Sequence, residues 1–191
     1  ALFVRELGIE QQRGHADHAV HRRAQLVAHV GQELALGLGR LLGEFQRANP
    51  AVRVFLTVSD THSVVERVAA RELELGIVGA SRRHRGVRFE PFFADQVILA
   101  CPPGHRFAGR TVTLDELREE TLILMQEGAG VRQIVEDALR RQGVKLRDLD
   151  VRLELGLQES VRRAVEAGFG VTFISRTAVE AELAEGRLTE A

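Results

Sequence analysis

LILMQEGAGVRQIVEDALRRQG, residues 122–143, changes periodicity partway through. Leu122 to Met125 is a short apolar run that reads as a strand, and Glu127-Gly128-Ala129-Gly130 is a turn. Beyond it Val131, Ile134, Val135, Ala138 and Leu139 recur at helical spacing on one face, and Gly143 closes the helix as a glycine just past a helix end commonly does. A strand, a glycine turn and a helix in succession form one βα unit.

The alternation continues in both directions. Upstream, Leu38, Leu41, Leu42 and Phe45 fall on one helix face, and Asn49-Pro50 stops that helix because the residue before proline is pushed out of the helical region. VRVFLTV (52–58) alternates as a strand, and a helix follows with Val64, Val65, Val68 and Ala69 inward and a capping box from Ser63 to Glu66. LELGIVGA (73–80) and QVILAC (96–101) are strands, and Thr113 with Glu116 caps a short helix through Leu117. Downstream, VRLEL (151–155) is a strand, Val161, Ala164 and Val165 mark a helix closed by Gly168, and VTFIS (171–175) is a strand. Thr177 and Glu180 then cap a last helix ending near Gly186. Strands alternating with helices through short connections predict an α/β fold with a largely parallel sheet. The break at Pro102–Thr111 marks a crossing from one lobe to a second. Residues 1–35 stand apart, with no clear strand and a loose helical pattern.

Lys plus Arg number 26 against 27 Asp plus Glu, a formal net charge of −1. A domain that grips nucleic acid usually carries a basic excess, so nucleic-acid binding by these residues is not expected. The single cysteine cannot form an internal disulfide. ALFVRELGIE lacks the uncharged core of a signal peptide, and no apolar run reaches membrane-spanning length, so a cytoplasmic protein is expected. No G-x-S-x-G, H-E-x-x-H or Walker loop occurs, so no catalytic residue, metal site or cofactor is expected.

Five segments taken in order resemble the effector domain of LysR-type transcription regulators. Phe45 to Pro50 with the strand after it resembles that family's opening, and Leu73 to Val78 its next strand, with Glu74 where aspartate is usual. FFADQVILACPPGHRFA (92–108) resembles its most recognisable run, with Arg106-Phe107 in place of the common Pro-Leu. QEGAGVR (126–132) resembles its turn before a helix, and AGFGVTFIS (167–175) its glycine-rich strand, with Ser175 in the proline's place. The segment ELGLQESVRRAVEAG is most similar to the branch regulating sulfur assimilation.

The resemblance implies a type 2 periplasmic-binding-protein-like α/β fold, two α/β lobes with a ligand cleft between them. The expected division is 1–35 as a divergent segment, disordered or helical, 36–100 as lobe I, 101–170 as lobe II, and 171–191 as a return toward lobe I. It also implies a small-molecule effector, DNA contact only through a winged helix-turn-helix domain outside these residues, and a homodimer or homotetramer. A last strand and helix are expected beyond Ala191. A solute-binding receptor of a transporter shares the fold and is the alternative.

Three strand-to-helix turns are candidate ligand contacts. Gly128, Ala129, Gly130 and Val131 place free N–H groups at the positive end of a helix, where an anion is favoured, although a plain tight turn reads the same way. Ser59, Thr61, His62 and Ser63 lie in a hydroxyl-rich turn beside Asp60, whose bland role is helix capping; the resemblance favours Thr61 as a contact. Gln158, Glu159 and Ser160 open a third helix with the same ambiguity. With no Trp or Tyr, a small anion held by N–H groups and hydroxyls suits the sequence better than a stacked aromatic ligand. His15, His18, His21 and His29 are read as a solvated segment, Cys101 as a small buried hydrophobe, and Arg82, Arg83, His84, Arg85 and Arg88 as a solvated loop, with an acidic partner the alternative for that run.

Overall fold

The apolar runs around Ile77 and Ile123 both form strands, but of two separate sheets. The computed structural model describes residues 2–6, 42–51, 58–73, 75–81, 84–91 and 94–191. They divide into two compact units, the described residues up to 91 in the first and 94–191 in the second. The expected strand over 52–58, Glu74, Arg82, Arg83, Phe92 and the four N-terminal histidines lie wholly or mainly outside the described residues.

Unit 1 consists of β1 (Leu2–Glu6), α1 (42–48), α2 (Thr61–Ala69), β2 (Leu75–Val78) and β3 (Val87–Pro91). The strand order is β2-β1-β3, with β1 antiparallel to both neighbours. Val64, Val65 and Val68 of α2 are buried with Leu73, Val78 and Val87, as the helical spacing requires. A Cβ on Gly76 would lie 2.4 Å from Val64 Cγ1, so the missing side chain lets α2 settle onto β2. Phe45, expected on a core face, is 44% exposed.

Unit 2 begins with β4 (Val97–Cys101), α3 (Leu114–Arg118), β5 (Thr121–Met125) and α4 (Gly130–Arg141). It continues with β6 (Asp150–Leu155), α5 (Gln158–Glu166), β7 (Val171–Ser175), α6 (Glu180–Ala184) and β8 (Thr189–Glu190). The order is β6-β5-β7-β4-β8. β5 runs parallel to β6 and β7, joined by the crossovers α4 and α5, whereas β4 runs antiparallel to β7 and β8. Both faces are covered: Ile98, Ile123 and Ile174 pack with Val161 and Val165 of α5, while Leu122 and Val171 pack with Val135 and Leu139 of α4 and with Phe107.

Four expectations are corrected. Residues 1–35 do contain a strand, β1, whose pairing partners in β2 and β3 lie 70 to 89 positions away and leave no local periodicity. The unit boundary falls between 91 and 94, before β4, not near 100, and 171–191 remain in unit 2 because β7 is hydrogen-bonded between β5 and β4. Among the described residues the strands pair antiparallel in unit 1 and in a mixed sheet in unit 2, not in a largely parallel one. Two caps also differ. Asp60, itself one of the cap candidates, caps α2 in place of a box begun by Ser63, and the Thr177 hydroxyl donates to Asp95 Oδ1 at 2.9 Å and caps no helix. Ser175, standing where the resemblance places proline, also donates its hydroxyl to Asp95.

The Thr113–Glu116 capping box forms as read. Arg110, donating to the Glu116 carboxylate at 2.8 Å, and the Thr113 N–H and hydroxyl hold that carboxyl at about 2, below its usual range. What this cap contributes is present above the ordinary carboxylate range and fades as pH falls toward 2.

Gly170 has φ +154, and a Cβ there would lie 2.4 Å from the Thr121 carbonyl oxygen. Gly168 has φ +80 with open space around it. Gly170→Ala is expected to destabilise the chain by roughly 3 kcal/mol through the added backbone clash. Gly168→Ala should cost only about 1 kcal/mol, the left-handed penalty alone. Urea unfolding of both variants checks this, and equal losses would contradict it.

Candidate functional site

Parallel pairing of β5 with β6 sets Met125 opposite Leu155, and the Gln126 N–H donates to the Leu155 carbonyl at 3.0 Å. The turns leading into α4 and α5 therefore emerge side by side at the carboxyl ends of adjacent strands, where ligands of α/β folds are commonly met. A Cβ on Gly156 would lie 2.6 Å from Gln126 Oε1, so the Gln126 side chain lies over that glycine. The structure thus brings two of the three candidate turns together.

At α4 the chain turns through Gly128 in the left-handed region, φ 89, and enters the helix at Ala129. The alanine methyl accepts no hydrogen bond, and the first turn carries no acidic residue. The leading N–H groups of a helix have no intrahelical acceptor, and twelve residues of aligned peptides add a partial positive charge there. Ala129 is buried, while Gly128, Gly130 and Val131 are partly open.

Arg132 fixes this turn. Its side chain is 14% exposed, and it donates Nε to Glu136 Oε1 at 2.9 Å and Nη1 to the Met125 carbonyl at 3.2 Å. Nη1 also pairs with Glu154 Oε2 of β6 at 2.8 Å. Burial works against its charge, but the hydrogen bonds it donates to Glu154 and Glu136 outweigh it and raise the guanidinium pKa. In the sequence Arg132 stands only at the end of the QEGAGVR motif. Its i,i+4 spacing to Glu136 was the available signal, while the contact with Glu154 was not legible.

The other two turns are already supplied with negative charge. Leu157, at the N-terminus of α5, offers no side-chain cap and is 58% exposed. Glu159 sits in the first turn and pairs with Arg162 and with Arg163 Nε at 3.0 Å. Gln158 is buried and Ser160 partly so. In unit 1 Asp60 accepts the Ser63 N–H at 2.9 Å and the Ser63 hydroxyl at 2.7 Å. Ser63 is thus engaged in capping. Thr61 is 2% exposed, Ser59 is partly buried, and exposed His62 lies with Nδ1 3.8 Å from Glu66 Oε1.

Two further concavities of unit 2 contain none of the candidate residues. One, about 390 Å³, is lined by Arg176, Thr177, Glu180, Leu183 and Ala184. The other, about 360 Å³ and apolar, runs past Val97, Leu114, Ile134, Leu139 and Phe173. Cys101 is buried, directs its thiol at the Thr189 carbonyl at 3.4 Å, and has its pKa raised chiefly by burial. Among the described residues no group of three or more His, Cys, Asp and Glu side chains is placed to hold a metal ion, and no helix is long and apolar enough to cross a membrane. Of the basic run, Arg85 and Arg88 are exposed, and Arg88 pairs with Glu90 at 3.2 Å.

Parallel strands joined by crossover helices that start at one edge of the sheet define an α/β module. Residues 21–191 match the family model described as the LysR substrate binding domain, and the chain belongs to that family. Its fold is accordingly the type 2 periplasmic-binding-protein-like fold. The RuBisCO operon transcriptional regulator of Allochromatium vinosum is 30% identical over 78% of this chain and 49% of its own length. A protein of Anaeromyxobacter dehalogenans (strain 2CP-C) named Phosphonates import ATP-binding protein PhnC is 32% identical over 98% of this chain and 41% of its own. The regulatory domain of Synechocystis PCC6803 CcmR, solved in complex with 2-PG, superimposes with a TM-score of 0.76 at 28% identity, covering 87% of this chain and 79% of that one. The chain spans about half the length of the curated relatives it matches.

The Asp60 geometry predicts a capping role separable from any ligand. Asp60→Ala is expected to cost about 1 kcal/mol of unit 1 stability, and Asp60→Asn much less, because asparagine also caps well. Urea unfolding followed by hydrogen exchange in α2 measures this; identical behaviour of the two variants would contradict it.

Proposed function

We propose that this chain is the effector-sensing part of a LysR-type transcription regulator and that it takes a small anion at the N-terminus of α4. The observation that carries this reading is the uncapped first turn of a twelve-residue helix at the carboxyl end of β5, preceded by the left-handed Gly128. Gly128, Gly130 and Val131 supply the N–H groups, while Ala129, whose own N–H donates to the Gln126 carbonyl at 3.3 Å, shapes the turn between them. Gln158, Glu159 and Ser160 border them from the neighbouring turn, with Glu159 disfavouring a second negative group. Within unit 1, Thr61, with Ser59, His62 and Ser63 around it, is a separate candidate turn for a ligand contact. The 2-PG bound to the CcmR domain and the similarity to a RuBisCO operon regulator support a small effector and a regulatory role.

The domain works by population shift, in which the effector binds one of two arrangements more tightly and biases the equilibrium toward it. It performs no chemistry on its ligand. DNA is reached through a winged helix-turn-helix domain outside these residues, in a cytoplasmic homodimer or homotetramer. The Anaeromyxobacter relative favours a second reading, in which the same module serves anion import. Sequence flanking this domain in its gene separates the two, since a winged helix-turn-helix supports the first and a nucleotide-binding domain the second.

Thermal shift against sulfate, phosphate, a phosphonate, sulfur metabolites and 2-PG tests the site. A native-state ligand at a hundred times its Kd should stabilise the chain by about 2.7 kcal/mol. Ala129→Asp places a capping carboxylate where the anion sits. It is expected to keep or raise the unliganded melting temperature, by the ~1 kcal/mol that a cap contributes, while abolishing the ligand-induced shift. An undiminished shift in this variant would overturn the proposed position.

A further inference from the structure

Unit 1 is assembled around a strand that lies outside the matched family region. The family match begins at residue 21, yet Leu2–Glu6 is the middle strand of the β2-β1-β3 sheet. β2 and β3 pair with β1 and not with each other, so among the described residues they are joined only through it. Val4 stands opposite Gly76 on one side and Phe89 on the other. In a middle antiparallel strand every N–H and C=O points at one neighbour or the other, so all of the main chain of β1 is available for pairing. Without it two edges would be left open, each a template for foreign strands.

The consequence reaches the candidate turn of this unit. α2 lies against all three strands, and its close approach is set at Gly76, the residue opposite Val4. α2 begins at Thr61, with Asp60 as its cap. The support beneath that turn is therefore the strand pair that β1 completes.

We infer that β2 and β3 form a slot for one extended antiparallel segment, that Leu2–Glu6 is its occupant, and that filling the slot is what holds α2 and the Thr61 turn in place. Recognition rests on main-chain pairing on both sides, so the occupant is defined as a short extended peptide, here apolar then charged in sequence (LFVRE), and the slot accepts it when it is supplied separately. The inference stands apart from the proposed anion site, which lies in unit 2.

The test is hydrogen exchange by mass spectrometry on the full chain carrying Val4→Pro, which removes a main-chain donor and is incompatible with a middle strand. Val4→Thr, which keeps a β-branched side chain and the donor, is the control. Exchange over 75–78 and 87–91 should accelerate by about tenfold or more in Val4→Pro and remain unchanged in Val4→Thr. Exchange over 121–125 and 171–175 in unit 2 should stay as in the parent chain. Adding the peptide ALFVRELG to Val4→Pro should restore protection over 75–78 and 87–91. Unchanged protection of these strands in Val4→Pro, loss of protection in both units, or no recovery with saturating peptide would each overturn the inference.

Discussion

Parallel pairing of β5 with both β6 and β7 is the constraint from which the candidate site follows. A parallel neighbour must be reached by a crossover, and here the crossovers are α4 and α5. Both helices therefore start at the same edge of the sheet, and the offset between them is set by the Met125–Leu155 register and the Gln126–Leu155 hydrogen bond. Nothing in the turn sequences alone would bring QEGAG and GLQES together.

Within that arrangement electrostatics separates three turns that look alike in composition. Asp60 caps the positive end of α2, where a ligand anion would sit, and Glu159 puts a carboxylate, paired with Arg162 and Arg163, in the first turn of α5. α4 alone of the three has neither a side-chain cap nor an acid in its first turn. Arg132, adjacent to it, is engaged by Glu136 and Glu154 and acts as a strut to β5 and β6. Where α5 meets α6, Glu182 of α6 is 3% exposed and is held by Arg162 of α5 at 2.6 Å and Arg187 at 3.3 Å, with Glu166 also bound by Arg187. Buried charge of this kind adds little net stability over an apolar pair, but removing one member is costly, so it fixes how α5 meets α6.

Most elements of unit 2 were legible because each buries a periodic face. The α4 set Val131 to Leu139, the runs at 122–125 and 171–175, and the Thr113–Glu116 box all carry their signal locally. β1 was not legible, because LFVRE acquires its meaning only from Gly76 and Phe89, far away in sequence. β3 was missed for a similar reason: VRFEP follows a basic stretch and has one fully buried residue, Val87. The candidate turns were visible as glycine and hydroxyl clusters, but their ranking was not. That ranking depends on which side chain reaches which N–H, as Asp60 does for Ser63 and no residue does through its side chain at Ala129.

The most direct test of the account is a two-dimensional amide NMR titration of the ¹⁵N-labelled chain with 2-PG and with inorganic phosphate. Perturbations that saturate and are largest at the amides of Gly128, Gly130 and Val131 are the result the account predicts, because those groups would donate to the anion. Perturbations centred on Ile134 and Phe173, in the apolar groove of unit 2, or on the Thr177 concavity with the α4 amides unmoved, would contradict it.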